Sequence, residues 1–401
     1  MPIVTQILSQ MSDLSLPQRK LLSHLLSLWP CVQGRFNFLN LSRYSSYCER
    51  TLRRHFAAPF DWGAFNARWI SRCVPASHHL ILAYDHSFIA KSGKQTPGLS
   101  WFYNGCAGRT EKGLELALVA VVDLDKQTAY ALHAKQTLPE TETECKDLKH
   151  LQESKPDWPT GVKHFAADGA FARHPFVDGV CALELEFVSK LRHNANLRFL
   201  FTGEQSGRGR PKLYDGKVMW KEFQPTRWKS QGQLQKGVEI YSATLFHVSL
   251  KRNIKVALLR KSASASTSIS GAKGQVLLFS TDLNLSGREI VRMYRARFQI
   301  EFLFRGCPLG RAKSGAGLTQ CQSRNKEALH FHWNAAFAAL NLAKTPQTAS
   351  AATRFSWAST RQKHANQHFL RLVSTNLDLD WNLIKTHPNF LALVNYGAIQ
   401  P

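Results

Sequence analysis

Two apolar runs in this chain each stop on an aspartate: HLILAYD ends on Asp85 and KHFAAD on Asp168. Such runs read as buried strands, and a carboxylate at the end of a buried strand is how an α/β fold presents a reactive group at the open edge of its sheet. A third carboxylate, Glu301, closes YRARFQIE, inside a helical pattern. Tyr294, Arg297 and Glu301 fall at i, i+3 and i+7, so one continuous helix would carry all three along one face. A site that cuts or joins a phosphodiester needs two divalent cations about 4 Å apart, held by hard oxygen ligands. Three separated carboxylates on a basic chain therefore point to metal-dependent chemistry on a polyanion.

The spacing Y-x-x-R-x-x-x-E, the first aspartate followed by HSFIAKSGKQT, and the second in FAADGAF resemble the DDE transposases of bacterial insertion sequences, in particular the "insertion sequence four" type. The resemblance implies that Asp85, Asp168 and Glu301 form a triad binding two Mg2+ ions, with Mn2+ as a substitute. It implies that Tyr294 and Arg297 contact DNA near the cut, Arg297 by clamping a phosphate. The implied activity is cleavage at the ends of a transposable element and strand transfer into target DNA, on double-stranded DNA, by a homodimer in the synaptic complex. Two rival readings stay open: a ribonuclease-H-like nuclease without strand transfer, and a catalytically impaired copy that still binds DNA. The second rests on the stretch after Glu301, where the family pattern continues to a lysine seven residues on. This chain has Pro308 there, among Gly306, Gly310, Gly315 and Gly317, and the nearest lysine is Lys313. A helix is expected to stop near Arg305, because proline removes an amide donor and clashes one turn back.

Composition agrees with a polyanionic partner. There are 52 Lys+Arg against 28 Asp+Glu, a formal net charge of +24, which suits a protein that neutralises many phosphates. The eight cysteines show no C-x-x-C pair and no zinc spacing, and no leader segment stands out, so reduced thiols in a cytoplasmic, nucleoid-associated protein are expected.

The expected fold class is α/β: a ribonuclease-H-like catalytic core with a β-rich insertion and an N-terminal helical DNA-binding region. Residues 1–70 read as a separate helical unit, in which NFLNLSRYSSYCERTLRRHF has the form of a helix-turn-helix offering Arg50, Arg53 and Arg54 to DNA. A helical hairpin with a solvated basic face fits the same residues. Residues 79–191 read as the first part of the core, with three strands, a helix and a fourth strand ending at Asp168. Residues 192–275 read as the insertion, 276–345 as the rest of the core with Ser286 as N-cap of the Glu301 helix, and 346–401 as a helical tail.

Further DNA contacts are expected from Lys91 and Lys94 beside the first aspartate, and from Arg208, Arg210 and Lys212 in SGRGRPKLYDG. That segment reads as a minor-groove arm, a basic hairpin loop on phosphates, or a solvated loop. Trp220 and Trp228 read either as core or as stacking partners for an unpaired base. Strand alternation turns His86 away from Asp85, and His330 and His332, two apart on a helix, face different ways.

Overall fold

The structure is a computed structural model that describes residues 2–138, 145–205, 207, 209–220, 223–261, 274–305, 316–345 and 355–399. Arg208, Pro308 and Lys313 lie outside the described residues. Five helices lead the chain: α1 (Pro2–Ser9), α2 (Leu16–Leu28), α3 (Phe38–Arg43), α4 (Glu49–Phe56) and α5 (Trp62–Cys73). Ser15 with Gln18 closes a capping box on α2, and Asn37 and Asp61 cap α3 and α5, satisfying amides that a helix start leaves open.

The chain then runs through β1 (Leu80–Ala90), β2 (Ser100–Asn104), β3 (Arg109–Asp123), β4 (Thr128–Thr137), α6 (Lys146–Ser154), β5 (His164–Ala167), α7 (His174–Ala182) and β6 (Glu186–Leu191). The expected insertion supplies β7 (Leu197–Leu200), β8 (Tyr214–Lys217), β9 (Lys229–Gln235), β10 (Val238–His247) and β11 (Arg252–Lys261). After them come β12 (Gln275–Ser280), α8 (Gly287–Arg297), α9 (Gln299–Arg305), α10 (Lys326–Ala343), α11 (Trp357–Asn376), α12 (Trp381–Thr386) and α13 (Phe390–Val394).

The twelve strands form one mixed sheet, in the order β2-β3-β1-β5-β6-β12-β11-β10-β7-β8, with β4 also beside β3 and β9 beside β10. β1, β5 and β6 run parallel, while β3 against β1 and β12 against β6 are antiparallel. The insertion strands thus extend the core sheet through β12. Strand β2 and the polar start of β3 were not expected from sequence. Both reach beyond the end of β1, where the exposed RTEKG segment carries no apolar alternation to betray a strand.

The outer edge of β4 is closed by side chains of α10. The Asn334 amide accepts from Ala134 N at 3.1 Å and donates to Ala134 O at 2.9 Å, and Asn341 does the same with Ala131 at 3.0 and 2.7 Å. An edge strand left open would be a template for unwanted pairing. Helix α10 is buried almost all round from Phe331 to Leu342, as a helix apolar on every side requires.

Helices α2, α4 and α5 pack on α10, so the N-terminal helices do not stand apart as expected. The Phe56 and Phe331 rings lie 4.3 Å apart, Trp29 Nε1 donates to Ala316 O at 3.1 Å, and Phe36 N donates to Gln320 Oε1 at 2.7 Å. These helices are too short to bury their apolar faces against one another alone, and α10 supplies the missing surface.

Within α10, His332 is 1 % exposed and its Nε2–H donates to Gly317 O at 2.8 Å. Burial lowers its pKa to about 4. In the unfolded chain the ring takes a proton near pH 6.5, so its share of stability is complete above that value and is lost as the pH falls towards 4. At pH 5 the loss is about 2 kcal/mol. Thermal melts at pH 7 and pH 5 are expected to show a fall in Tm that shrinks in His332→Gln. An equal fall in both proteins would exclude this histidine as its source.

Candidate active site

Asp85 and Asp168 come together through strand register. The parallel pairs between β1 and β5 end at Tyr84 with Ala167, so the two aspartates are the next residues on neighbouring strands, which lie about 4.8 Å apart. Asp168 also opens a short 3-10 turn, its Oδ1 accepting from Gly169 N at 2.7 Å.

Helix α8 begins with the expected Ser286 cap, reinforced by Glu289 in a reciprocal capping box, and crosses the sheet at β5, β6, β11 and β12. It is tied at two points that sequence reasoning missed. Arg288 donates to Gln231 O at 2.7 Å and Gln233 O at 2.9 Å, and Arg292 pairs with Asp125 at 2.6 Å. Arginines four apart at the start of a helix were the available signal. The expected single helix through Glu301 is interrupted at Phe298, whose amide donates to Arg295 O in a tighter turn. With no Gly or Pro at this point, the break was not readable from residue types.

The three signature residues still converge. Tyr294 Oη lies 3.4 Å from Asp168 Oδ1, and burial pushes its phenol up to about 12. Arg297, with a side chain only 5 % exposed, lies 3.5 Å from Asp85 Oδ2 and 3.8 Å from Glu301 Oε1. The guanidinium is turned inward between two carboxylates, with the Phe298 ring 4.4 Å from its centre. Burial raises the Asp85 carboxyl pKa, Arg297 and the His86 amide pull it back, and Glu301 adds to the rise.

On the opposite face of β1, His86 Nε2 meets Asp147 Oδ1 at 2.9 Å, and Tyr84 Oη donates to the same oxygen at 3.1 Å. His86 therefore belongs to the packing between the sheet and α6. Lys91 is also turned from its expected role. Its ammonium donates to Cys321 O at 2.7 Å and Ser323 O at 2.9 Å, fixing the loop after β1 to the segment before α10.

The other expected DNA contacts lie elsewhere. Arg50, Arg53 and Arg54 are exposed on α4, whose Leu52 and Phe56 face inward, and Arg53 pairs with Glu49. Lys94 and Arg210 are exposed, whereas Lys212 pairs with Asp215 at 3.3 Å and stands over the Phe201 ring. Trp228 is buried and Trp220 Nε1 donates to Ala195 O at 3.2 Å, so both belong to the packing of the insertion strands. Among the described residues, His330 and His332 share no ligand cluster, and no helix is long and apolar enough to cross a membrane.

The carboxylates fit a hard divalent cation in chemistry. A buried cation, the Arg297 guanidinium, already lies between two of them, and among the described residues its Nε has no hydrogen-bond partner. As placed, no group of three or more His, Cys, Asp or Glu side chains among the described residues closes on a single point. No curated protein matches the sequence. A family model for the transposase DDE domain matches residues 76–342, more than half of the chain and a span that contains Asp85, Asp168 and Glu301, and the chain belongs to that family.

Proposed function

We propose that this chain is a DNA transposase of the "insertion sequence four" type that cuts at the ends of its element and joins the freed ends to target DNA. The observation that carries the reading is the register of β1 and β5, which sets Asp85 beside Asp168 where α8 and α9 bring Arg297 and Glu301. The run β4-β3-β1-β5-β6, with antiparallel strands followed by parallel ones, supports a ribonuclease-H-like core over residues 79–191 and 276–345, with the insertion at 192–275.

Asp85, Asp168 and Glu301 would hold Mg2+, and the chemistry it would supply there is Lewis-acid stabilisation at the scissile phosphate. The protein's own groups set the stage. Tyr294 holds Asp168, Arg297 holds Asp85 and Glu301 as a positioning residue, and the packing of α8 fixes both. The freed 3′-hydroxyl would then attack a target phosphate in line and displace the 3′-oxygen of the target strand, with no covalent protein intermediate. Exposed Arg50, Arg53 and Arg54 on α4 suit contact with the element's ends, and pairing two ends calls for a homodimer.

Incubation with a supercoiled donor plasmid carrying candidate ends, with and without Mg2+, tests the reading. Metal-dependent release and joining of ends is expected. Cleavage without joining would select the plain nuclease, and end binding without cleavage would select an impaired copy. A separate expectation concerns Arg297: Arg297→Met lowers the unfolding free energy by about 2 kcal/mol in urea at neutral pH, because the Asp85 and Glu301 carboxylates lose a shared buried counter-charge. An unchanged midpoint would show that the guanidinium does not hold the site.

A further inference from the structure

The hairpin of β2 and β3 carries two large exposed aromatics, Trp101 and Tyr103, each 68 % accessible. Their orientation follows from register. Asp85 pairs with Leu118, and strand alternation carries that side of β3 through Leu116 and Leu114 to Lys112 and Thr110. Lys112 and Thr110 pair with Trp101 and Tyr103, so both rings stand on the same sheet face as Asp85. Six residues of β3 separate the two levels, roughly 20 Å along the strand.

Charge is sorted between the two sides of this hairpin. The one carboxylate in the segment where β2 and β3 pair, Glu111, points to the opposite side, where Asn104 Nδ2 donates to it at 2.7 Å and Arg109 Nε at 2.8 Å. The aromatic side keeps exposed Lys112, paired with Trp101. Two exposed rings at i and i+2 beside an ammonium form a surface on which successive bases stack while their phosphates meet cations.

We propose that this face is a stacking platform for an unpaired DNA strand leading away from the carboxylate site. The inference rests on the DNA-processing reading above and adds to it a binding surface outside the triad. A base in a duplex is already stacked, so the platform takes single strands and leaves intact duplex to the basic surfaces elsewhere.

The test measures fluorescence anisotropy of labelled oligothymidylate and of the matching duplex with the full chain, comparing wild type, Trp101→Ala/Tyr103→Ala and Trp101→Phe/Tyr103→Phe. The alanine pair is expected to weaken oligothymidylate binding at least about tenfold, with the slope against salt unchanged. Duplex binding stays as in wild type, and the phenylalanine pair stays within about twofold of wild type on both probes. Unchanged oligothymidylate affinity in the alanine pair would overturn the platform while leaving the transposase reading intact. Equal loss on both probes, or a changed mass in sedimentation, would overturn it in favour of a folding lesion or a protein interface. A wild-type chain that binds neither probe would overturn both readings.

Discussion

Alanine at Asp85, Asp168 or Glu301 is expected to lower Mg2+-dependent cleavage of element ends by about a thousandfold or more. Lewis-acid stabilisation is worth several kcal/mol, and each 1.4 kcal/mol is a factor of ten. DNA binding is expected to survive, because the exposed Arg50, Arg53 and Arg54 of α4 are different residues from the carboxylates. Glu301→Asp is expected to fail as well. Ile300 and Leu303 on either side of Glu301 are buried, so α9 cannot advance to restore the reach of a shorter side chain. Gel assays of cleavage alongside binding separate the two effects, and full cleavage by Asp85→Ala would remove it from the site.

Deletion of residues 1–70 is expected to leave no cooperatively folded protein. This reverses what the basic N-terminus suggests by itself, namely loss of end preference with non-specific binding retained. Trp29, Phe36, Phe56, Trp62, Phe65 and Trp69 are each at most 1 % exposed, and truncating a single buried Phe or Trp costs about 3–5 kcal/mol. Losing all six, with their facing surface on α10 opened to water, exceeds the roughly 5–15 kcal/mol that holds a domain together. Circular dichroism melts of residues 71–401 decide it, and a cooperative transition at the wild-type temperature would show these helices to be dispensable. Arg50→Ala/Arg53→Ala/Arg54→Ala is the cleaner probe of DNA recognition. All three side chains are exposed, so the variant is expected to fold, to bind ends more weakly and to lose about three units of salt slope.

Much of the core was legible because its signals are local. The apolar runs HLILAYD and KHFAAD lie in β1 and β5, although β1 does not stop at Asp85 and runs on to Ala90, and the Ser286 cap is where its residue type placed it. What escaped depends on partners far along the chain. Lys91 reads as a loop cation until Cys321 and Ser323 supply carbonyls for it. The N-terminal helices read as independent because α10, their packing surface, lies more than two hundred residues away. The interruption at Phe298 has no residue-type signal, and Trp101 and Tyr103 lay in a strand too short and too polar in its pairing to stand out.

The joint role of the three carboxylates is tested most directly by Mn2+ binding, followed by electron paramagnetic resonance with wild type and with the three alanine variants. Saturable binding by wild type, weakened in each of Asp85→Ala, Asp168→Ala and Glu301→Ala, is the expected outcome. Mn2+ bound as tightly by all three variants as by wild type would mean that these carboxylates do not hold the metal, and the proposed active site would have to be abandoned.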